Sequence, residues 1–150
     1  MCRTAVAEAD HDEMAPALAA MGFRTRTVCH PGAGGEGRFL IAHRVEDVAL
    51  PTVLMYGHGD VVRGYDNQWR EGLNPWVLTV EGDRWYGRGT ADNKGQHSIN
   101  LAALACVIEA RGGRLGFNIR ILIEMGEEIG SPALPEVCRA LQQELTADLF

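Results

Sequence analysis

The chain has 150 residues, of which 46% are hydrophobic and 23% are charged, and its formal net charge is -6. This length and composition are typical of one globular domain with a hydrophobic core of its own. The acidic excess, without any cluster of Lys and Arg, argues against nucleic acid as a partner. No apolar run is long enough to cross a membrane and the acidic N-terminal segment is unlike a signal peptide, so we expect a cytoplasmic protein with no membrane partner.

The first part of the chain predicts one helix followed by strands. Asp12 is a suitable N-cap for a helix that continues to about Met21. Alternation of apolar and polar residues then predicts a strand over Phe23–Val28. A glycine-rich loop over 31–37 leads to a second strand, Phe39–Ala42, and we interpret it as a plain turn because it lacks the ending of a phosphate-binding loop.

The second part alternates between strands and helices. A short hairpin is predicted over Trp76–Tyr86. The segment Gln96–Arg111 reads as a helix that is apolar nearly all round, so we expect it to be buried against a sheet. Phe117–Glu124 predicts a strand with two distinct faces, Pro132 begins a last helix to about residue 145, and Ala147–Phe150 has the pattern of a beginning strand.

Side chains suited to catalysis follow three of these segments. An apolar run from Val53, predicted to be a buried strand, ends in His58 and Asp60, and the other segments are the glycine-rich stretch 86–95 and the residues after the 117–124 strand. In open α/β sheets, ligands bind beyond the carboxyl ends of strands. Imidazole with carboxylates is the ligand set of a hydrolytic zinc site, and clustered carboxylates repel one another unless a cation lies between them. The candidate side chains are His58, Asp60, Asp92, Glu127 and Glu128.

The same segments carry three motifs of a known family. They read HGDVV over 58–62, WYGRGTADNKG over 85–95 and EEIGS over 127–131. In this order and spacing, they resemble the M20 family of dinuclear zinc metallopeptidases, which includes carboxypeptidases, N-acyl amino acid deacylases and carnosinase-like dipeptidases. The resemblance extends over essentially the whole chain.

The resemblance implies a role for each candidate residue. His58 and Glu128 would each bind one of two Zn²⁺ ions, and Asp92 would bridge both, although cobalt or manganese could occupy a site so rich in carboxylates. Asp60 would accept the second ring N–H of His58 and fix its orientation. Glu127 would take a proton from the bridging water and pass it to the leaving amine.

The fold that we expect is α/β: a three-layer sandwich of a mostly parallel sheet with helices on both faces. The resemblance implies that residues 1–150 are the N-terminal portion of the metal-binding catalytic domain. One more carboxylate ligand, a histidine ligand and the dimerisation domain would then lie beyond Phe150, so we expect weakened metal binding and little or no turnover by this chain alone. In the family the peptide bond after the bridging aspartate, here Asp92-Asn93, is commonly cis.

The predicted activity is hydrolysis of a peptide or N-acyl amide bond in a small substrate such as a peptide or N-acyl amino acid. The sequence is equally compatible with a dipeptidase, a deacylase and a carboxypeptidase. One alternative is a non-catalytic, truncated fold whose exposed sheet edge favours assembly into a homo-oligomer. Another is a nucleotide-binding module, suggested by Gly87-Arg88-Gly89 before a helix, although Gly95 does not stand where that fingerprint needs its third glycine. His97, close to Asp92, is a weaker candidate for lining the site.

Overall fold

The structure of the protein, a computed structural model, describes residues 13–30 and 37–150. In chain order, the first elements are helix α1 (13–20) and strands β1 (Arg24–Cys29), β2 (Arg38–Arg44) and β3 (Thr52–His58). A hairpin of β4 (Thr79–Glu81) and β5 (Arg84–Tyr86) follows, and then α2 (Lys94–Ala110) and β6 (Asn118–Glu124). The last helices are α3 (Leu134–Ala140) and α4 (Gln142–Leu145), and short 3₁₀ helices cover Asp66–Gln68 and Glu127–Ile129.

The main sheet has the strand order β1-β2-β6-β3. β3 and β6 are parallel because α2 forms the crossover between them, as parallel neighbours require. β1 pairs antiparallel with β2, and β2 pairs antiparallel with β6. The α/β class is confirmed. The expectation of a mostly parallel sheet is wrong, since two of the three strand pairs in the described sheet are antiparallel. For β1 and β2 the reason is that the connection between them is too short for a parallel crossover.

Helices cover both faces of this sheet. Leu18 of α1 and Leu104 of α2 pack with one set of alternate β6 residues. Val137 of α3 and Leu145 of α4 pack on the opposite face, which includes Leu122 of β6. The three-layer arrangement is therefore confirmed, and the two-faced pattern of the 117–124 segment is its cause, since successive strand residues point to opposite sides.

Helix α2 is less buried than its composition predicts. Only His97 and Leu104 are buried within it, whereas Ile99 is 68% exposed and Cys106 is also exposed. The expected packing against the sheet is confirmed, but a single face of the helix makes it, and the described chain places no layer over the other face. The hairpin and the C-terminal helical segment are confirmed, but the latter is interrupted at Leu141, where φ is -104° and ψ is 16°.

Strand β3 lies at an edge of the described sheet, which corrects the prediction of a buried strand. Only its last two residues, Gly57 and His58, are buried. Its outer side is met by Leu149, which forms a parallel bridge to Val53, so the predicted beginning of a further strand is present.

The predicted N-cap Asp12 and residues 31–36 of the glycine-rich loop lie outside the described residues. Within the described residues, no helix is long and apolar enough to span a membrane.

Candidate metal centre

The candidate side chains meet beyond the carboxyl ends of two parallel strands. His58 is the last residue of β3 and stands in register with Glu124, the last residue of β6. The chain leaving β6 therefore brings Glu127 and Glu128 to the same edge of the sheet. Asp92, two residues before α2, completes the group from a third segment.

His58 lies at the centre of this arrangement and is only 5% exposed. Its Nδ1 lies 3.1 Å from the backbone carbonyl oxygen of Asp60, and its Nε2 lies 3.0 Å from Oδ1 of Asp92 and 3.8 Å from Oε2 of Glu127. Burial alone would lower the pKa of His58, but the hydrogen bonds and charge of Asp60, together with Asp92, raise it to about 9. In the neutral ring, a Nδ1–H donated to the carbonyl leaves Nε2 as the nitrogen available to a metal.

Asp60 has contacts beyond those that its spacing from His58 predicts. Its Oδ1 and Oδ2 accept the backbone N–H groups of Glu127 and Glu128, each at 3.1 Å. Oδ1 also lies 3.5 Å from Nδ1 of His58. Burial opposes ionisation of Asp60, but these hydrogen bonds lower its pKa below the ordinary 3.8. A single ionised carboxylate thus links the β3 tip to the loop that follows β6.

The donor atoms in this crevice fit a divalent cation. Ligand atoms of His58, Glu127 and Glu128 all lie within 4.8 Å of one another. Burial and the negative charge of Asp92 raise the pKa of Glu128. The part of this upward shift that comes from Asp92 is a repulsion that a cation between the carboxylates would remove. Imidazole with carboxylate oxygens is a donor set that zinc accepts.

The start of α2 packs directly behind the β3 tip. Nε2 of His97 lies 2.9 Å from the carbonyl oxygen of His58, and the amide of His58 donates to Oδ1 of Asn93 at 3.3 Å. A Cβ on Gly57 would stand 2.2 Å from Cε1 of His97, so only glycine allows this approach. His97 therefore contacts the backbone that carries His58. The Asp92-Asn93 peptide bond is cis, as the resemblance implied.

Gly95, the second residue of α2, packs against the chain just before Asp92, and its replacement by alanine tests that packing. A Cβ there would lie 2.1 Å from the carbonyl oxygen of Thr90, a backbone atom that cannot rotate away. We expect Gly95→Ala to lower the free energy of unfolding by about 3 kcal/mol, measured by chemical denaturation. The matched control is Gly112→Ala at the other end of α2, where nothing lies within 4 Å and only the left-handed φ of +63° adds strain, worth roughly 1 kcal/mol. Equal losses for both variants would contradict this assignment.

Three residues at the edge of the site were not predicted from the sequence: Tyr56, Glu124 and Ser131. Glu124 is 1% exposed, and its carboxylate accepts hydrogen bonds from Ser131 Oγ, at 2.7 Å, and from the hydroxyl of Tyr56. Burial and the neighbouring Glu124 carboxylate raise the pKa of Tyr56. The available signal was an acidic residue directly after the apolar residues 121–123 of a strand, which is an unfavourable position without specific partners.

Comparisons with known proteins give matches both in sequence and in fold. The profile described as peptidase family M20/M25/M40 matches residues 54–150. A curated relative, the cysteinylglycine-S-conjugate dipeptidase of Corynebacterium striatum, is 38% identical over 102 residues, which are 67% of this chain and 22% of the relative. The crystal structure of human carnosine dipeptidase 1 has a TM-score of 0.80 and 29% identity, covering 92% of this chain and 30% of that one.

A second solved structure has the same relation to the chain. The M20 family metallo-carboxypeptidase Sso-CP2 from Sulfolobus solfataricus has a TM-score of 0.79 and 26% identity, and the match covers 96% of this chain and 32% of that one. The chain thus spans about a third of the solved relatives and about a fifth of the curated one.

Proposed function

Because this chain belongs to the peptidase family M20/M25/M40, we propose that it carries part of the active site of a metal-dependent hydrolase that cleaves a peptide or N-acyl amide bond in a small substrate. The observation that supports this most directly is the convergence of His58, Glu127 and Glu128 ligand atoms within 4.8 Å of one another. Family membership favours this function over the nucleotide-binding alternative.

Each side chain has a distinct part in the proposed chemistry. His58, Asp92 and Glu128 would hold the metal, with two Zn²⁺ ions in a complete site. When bound, these ions supply Lewis-acid polarisation of the substrate carbonyl and lower the pKa of a water molecule. Glu127, whose side chain is 44% exposed, faces the crevice as the general base that takes up a proton and returns it to the leaving nitrogen. Asp60 keeps the His58 ring and both glutamates in place.

We propose a small peptide as the substrate. The Corynebacterium striatum relative and the human structure are both named as dipeptidases, and the Sulfolobus solfataricus protein is named as a carboxypeptidase. An N-acyl amino acid presents the same amide bond to the same groups. Parallel assays of a complete version of the catalytic domain with a dipeptide, an acylated amino acid and a longer peptide would therefore separate the three activities.

We further propose that residues 1–150 correspond to the first portion of a catalytic domain. The solved relatives are about three times as long as the part that matches, which supports this assignment. Additional metal ligands would then come from outside these residues. Since metal affinity depends on the number and geometry of ligands, we expect zinc binding by the chain alone to be weaker than in a complete site.

The experiment that tests the proposal is zinc titration by calorimetry, with elemental analysis of the purified chain. We expect one or two specifically bound zinc ions, and Asp92→Asn should weaken binding on the order of 100-fold because it removes an anionic ligand. The matched control is Asp83→Asn, in the exposed turn of the β4–β5 hairpin, which should leave zinc affinity unchanged. Failure of the wild-type chain to bind zinc specifically would overturn the proposed metal centre.

A further inference from the structure

Among the described residues, one buried carboxylate has no part in the proposed chemistry. Glu124 ends β6 and is 1% exposed, on the sheet face that α3 and α4 cover. Its Oε1 accepts a hydrogen bond from Ser131 Oγ at 2.7 Å and another from the hydroxyl of Tyr56. A buried carboxylate is expensive to desolvate, and an apolar residue of similar volume commonly stabilises a fold at least as well. Stability of the core alone therefore does not account for an acidic residue here.

Ser131 closes the loop that carries the two glutamates. Its amide donates to the carbonyl oxygen of Gly126 at 2.8 Å, and the amide of Gly130 donates to the carbonyl oxygen of Glu127 at 2.9 Å. Ser131 also adopts a left-handed conformation with φ of 50°, which is unfavourable for a residue with a side chain. The hydrogen bond from Ser131 Oγ to Glu124 therefore holds the loop at a residue whose backbone conformation is unfavourable.

The loop is thus held at both ends. At its start, the amides of Glu127 and Glu128 donate to the carboxylate of Asp60. At its exit, Ser131 is held by Glu124. Glu124 also contacts the β3 tip directly, because its carbonyl oxygen accepts the amide of Gly59 at 2.9 Å. One residue consequently connects the segment bearing His58 with the loop bearing the glutamates.

We propose that Glu124, together with Ser131 and Tyr56, is a positioning anchor that sets Glu127 and Glu128 at the right distance from His58 for metal binding. This inference rests on the proposed function, since it assigns a purpose to the anchor at that same site. Glu124 does not face the crevice as a ligand; it acts through Ser131 on the loop and through Tyr56 on β3.

Ser131→Ala is the variant that tests the anchor, and it has one readout without metal and one with it. In the metal-free chain, amide hydrogen exchange of Glu127 and Glu128 should become about tenfold faster, because the loop opens more often once its exit is released. With metal, the zinc Kd should rise about tenfold, the smaller end of the range for residues that orient ligands. The absorption spectrum of the Co²⁺ form should also change, since it reports ligand geometry in the folded molecules alone.

The matched control is Asn118→Ala. Asn118 is also buried and polar and begins the same strand, but it binds the 46–50 segment at the opposite end of the sheet. We expect this control to lower stability while leaving exchange at Glu127 and Glu128, zinc affinity and the Co²⁺ spectrum unchanged.

Two further results distinguish a positioning anchor from a residue that acts through its charge or only through its packing. Glu124→Gln keeps an oxygen that can accept both hydrogen bonds but removes the charge, so we expect it to retain most of the zinc affinity.

If Glu124→Gln weakens zinc binding whereas Ser131→Ala does not, the charge of Glu124 matters and the anchor is refuted. Unchanged exchange in metal-free Ser131→Ala also refutes the anchor, even where wild-type zinc binding upholds the proposed function. Absence of zinc binding by the wild type, with faster exchange in the variant, would instead remove the metal centre and reduce Glu124 to a structural role.

Discussion

In a complete version of the catalytic domain that supplies the remaining metal ligands, replacing Glu127 with glutamine is expected to slow hydrolysis of a small peptide by about 100-fold to 10,000-fold, the usual contribution of a general base. Glutamine has nearly the same shape but cannot take up a proton. The amide of residue 127 would still donate to Asp60, so the loop should keep its position. Single-turnover rates with the zinc-loaded protein measure the effect, and zinc affinity should stay within about twofold of the wild type.

Glu128→Gln is the matched control for this prediction. It is the same change at the adjacent residue, yet Glu128 is the glutamate to which we assign a metal and whose pKa is raised by burial and by Asp92. We expect zinc affinity to fall on the order of 100-fold in this variant. Because both glutamates lie within reach of His58, the geometry alone leaves their roles interchangeable. Loss of zinc in Glu127→Gln with normal affinity in Glu128→Gln would exchange the two assignments, and this comparison of affinities needs no turnover.

The architecture was predictable where the pattern of apolar residues is local and regular. Strand β6 has isoleucine at positions 119, 121 and 123 on one face and Leu122 on the other, so apolar packing on both faces follows from the sequence. The position of strand β3 in the chain was predicted correctly, but its burial was not. Whether a strand lies at the edge of a sheet depends on which other strands pair with it, and a local pattern does not show this. The same holds for strand direction: the pairing of β2 with β6 joins segments far apart in the chain, which no local pattern determines.

The composition of α2 was misleading for a related reason. Apolar residues such as Ile99 occur all round the helix, but a helix of this kind is buried only where neighbours reach it. The candidate metal ligands, by contrast, were identified from three short motifs, and the structure brings them to one crevice. Their supporting contacts were out of reach of the sequence, since the bond of Ser131 to Glu124 depends on a loop that turns back on its own strand.

Asp60→Ala is expected to affect both metal binding and stability, because Asp60 joins the two halves of the site. The change leaves the amides of Glu127 and Glu128 without their acceptor and removes the carboxylate 3.5 Å from Nδ1 of His58. Zinc affinity should fall about 10-fold to 100-fold, as for other residues that orient metal ligands. The free energy of unfolding should fall by roughly 2–4 kcal/mol, since two charge-assisted hydrogen bonds are lost. Calorimetric zinc titration and chemical denaturation at neutral pH measure the two effects.

The pH dependence of this stability loss distinguishes the carboxylate from the mere volume of the side chain. The pKa of Asp60 is lower in the folded chain than its ordinary value of 3.8, because the hydrogen bonds from His58, Glu128 and Glu127 outweigh burial. The stabilisation is therefore fully present above that ordinary value and is lost as the pH falls through the lower, folded pKa. We expect the difference in unfolding free energy between wild type and Asp60→Ala to shrink in acid, and Asp60→Asn, which keeps one acceptor oxygen, to lie between them at neutral pH. A difference that stays constant down to acid pH would mean that packing, and not the charge of Asp60, holds the loop against the β3 tip.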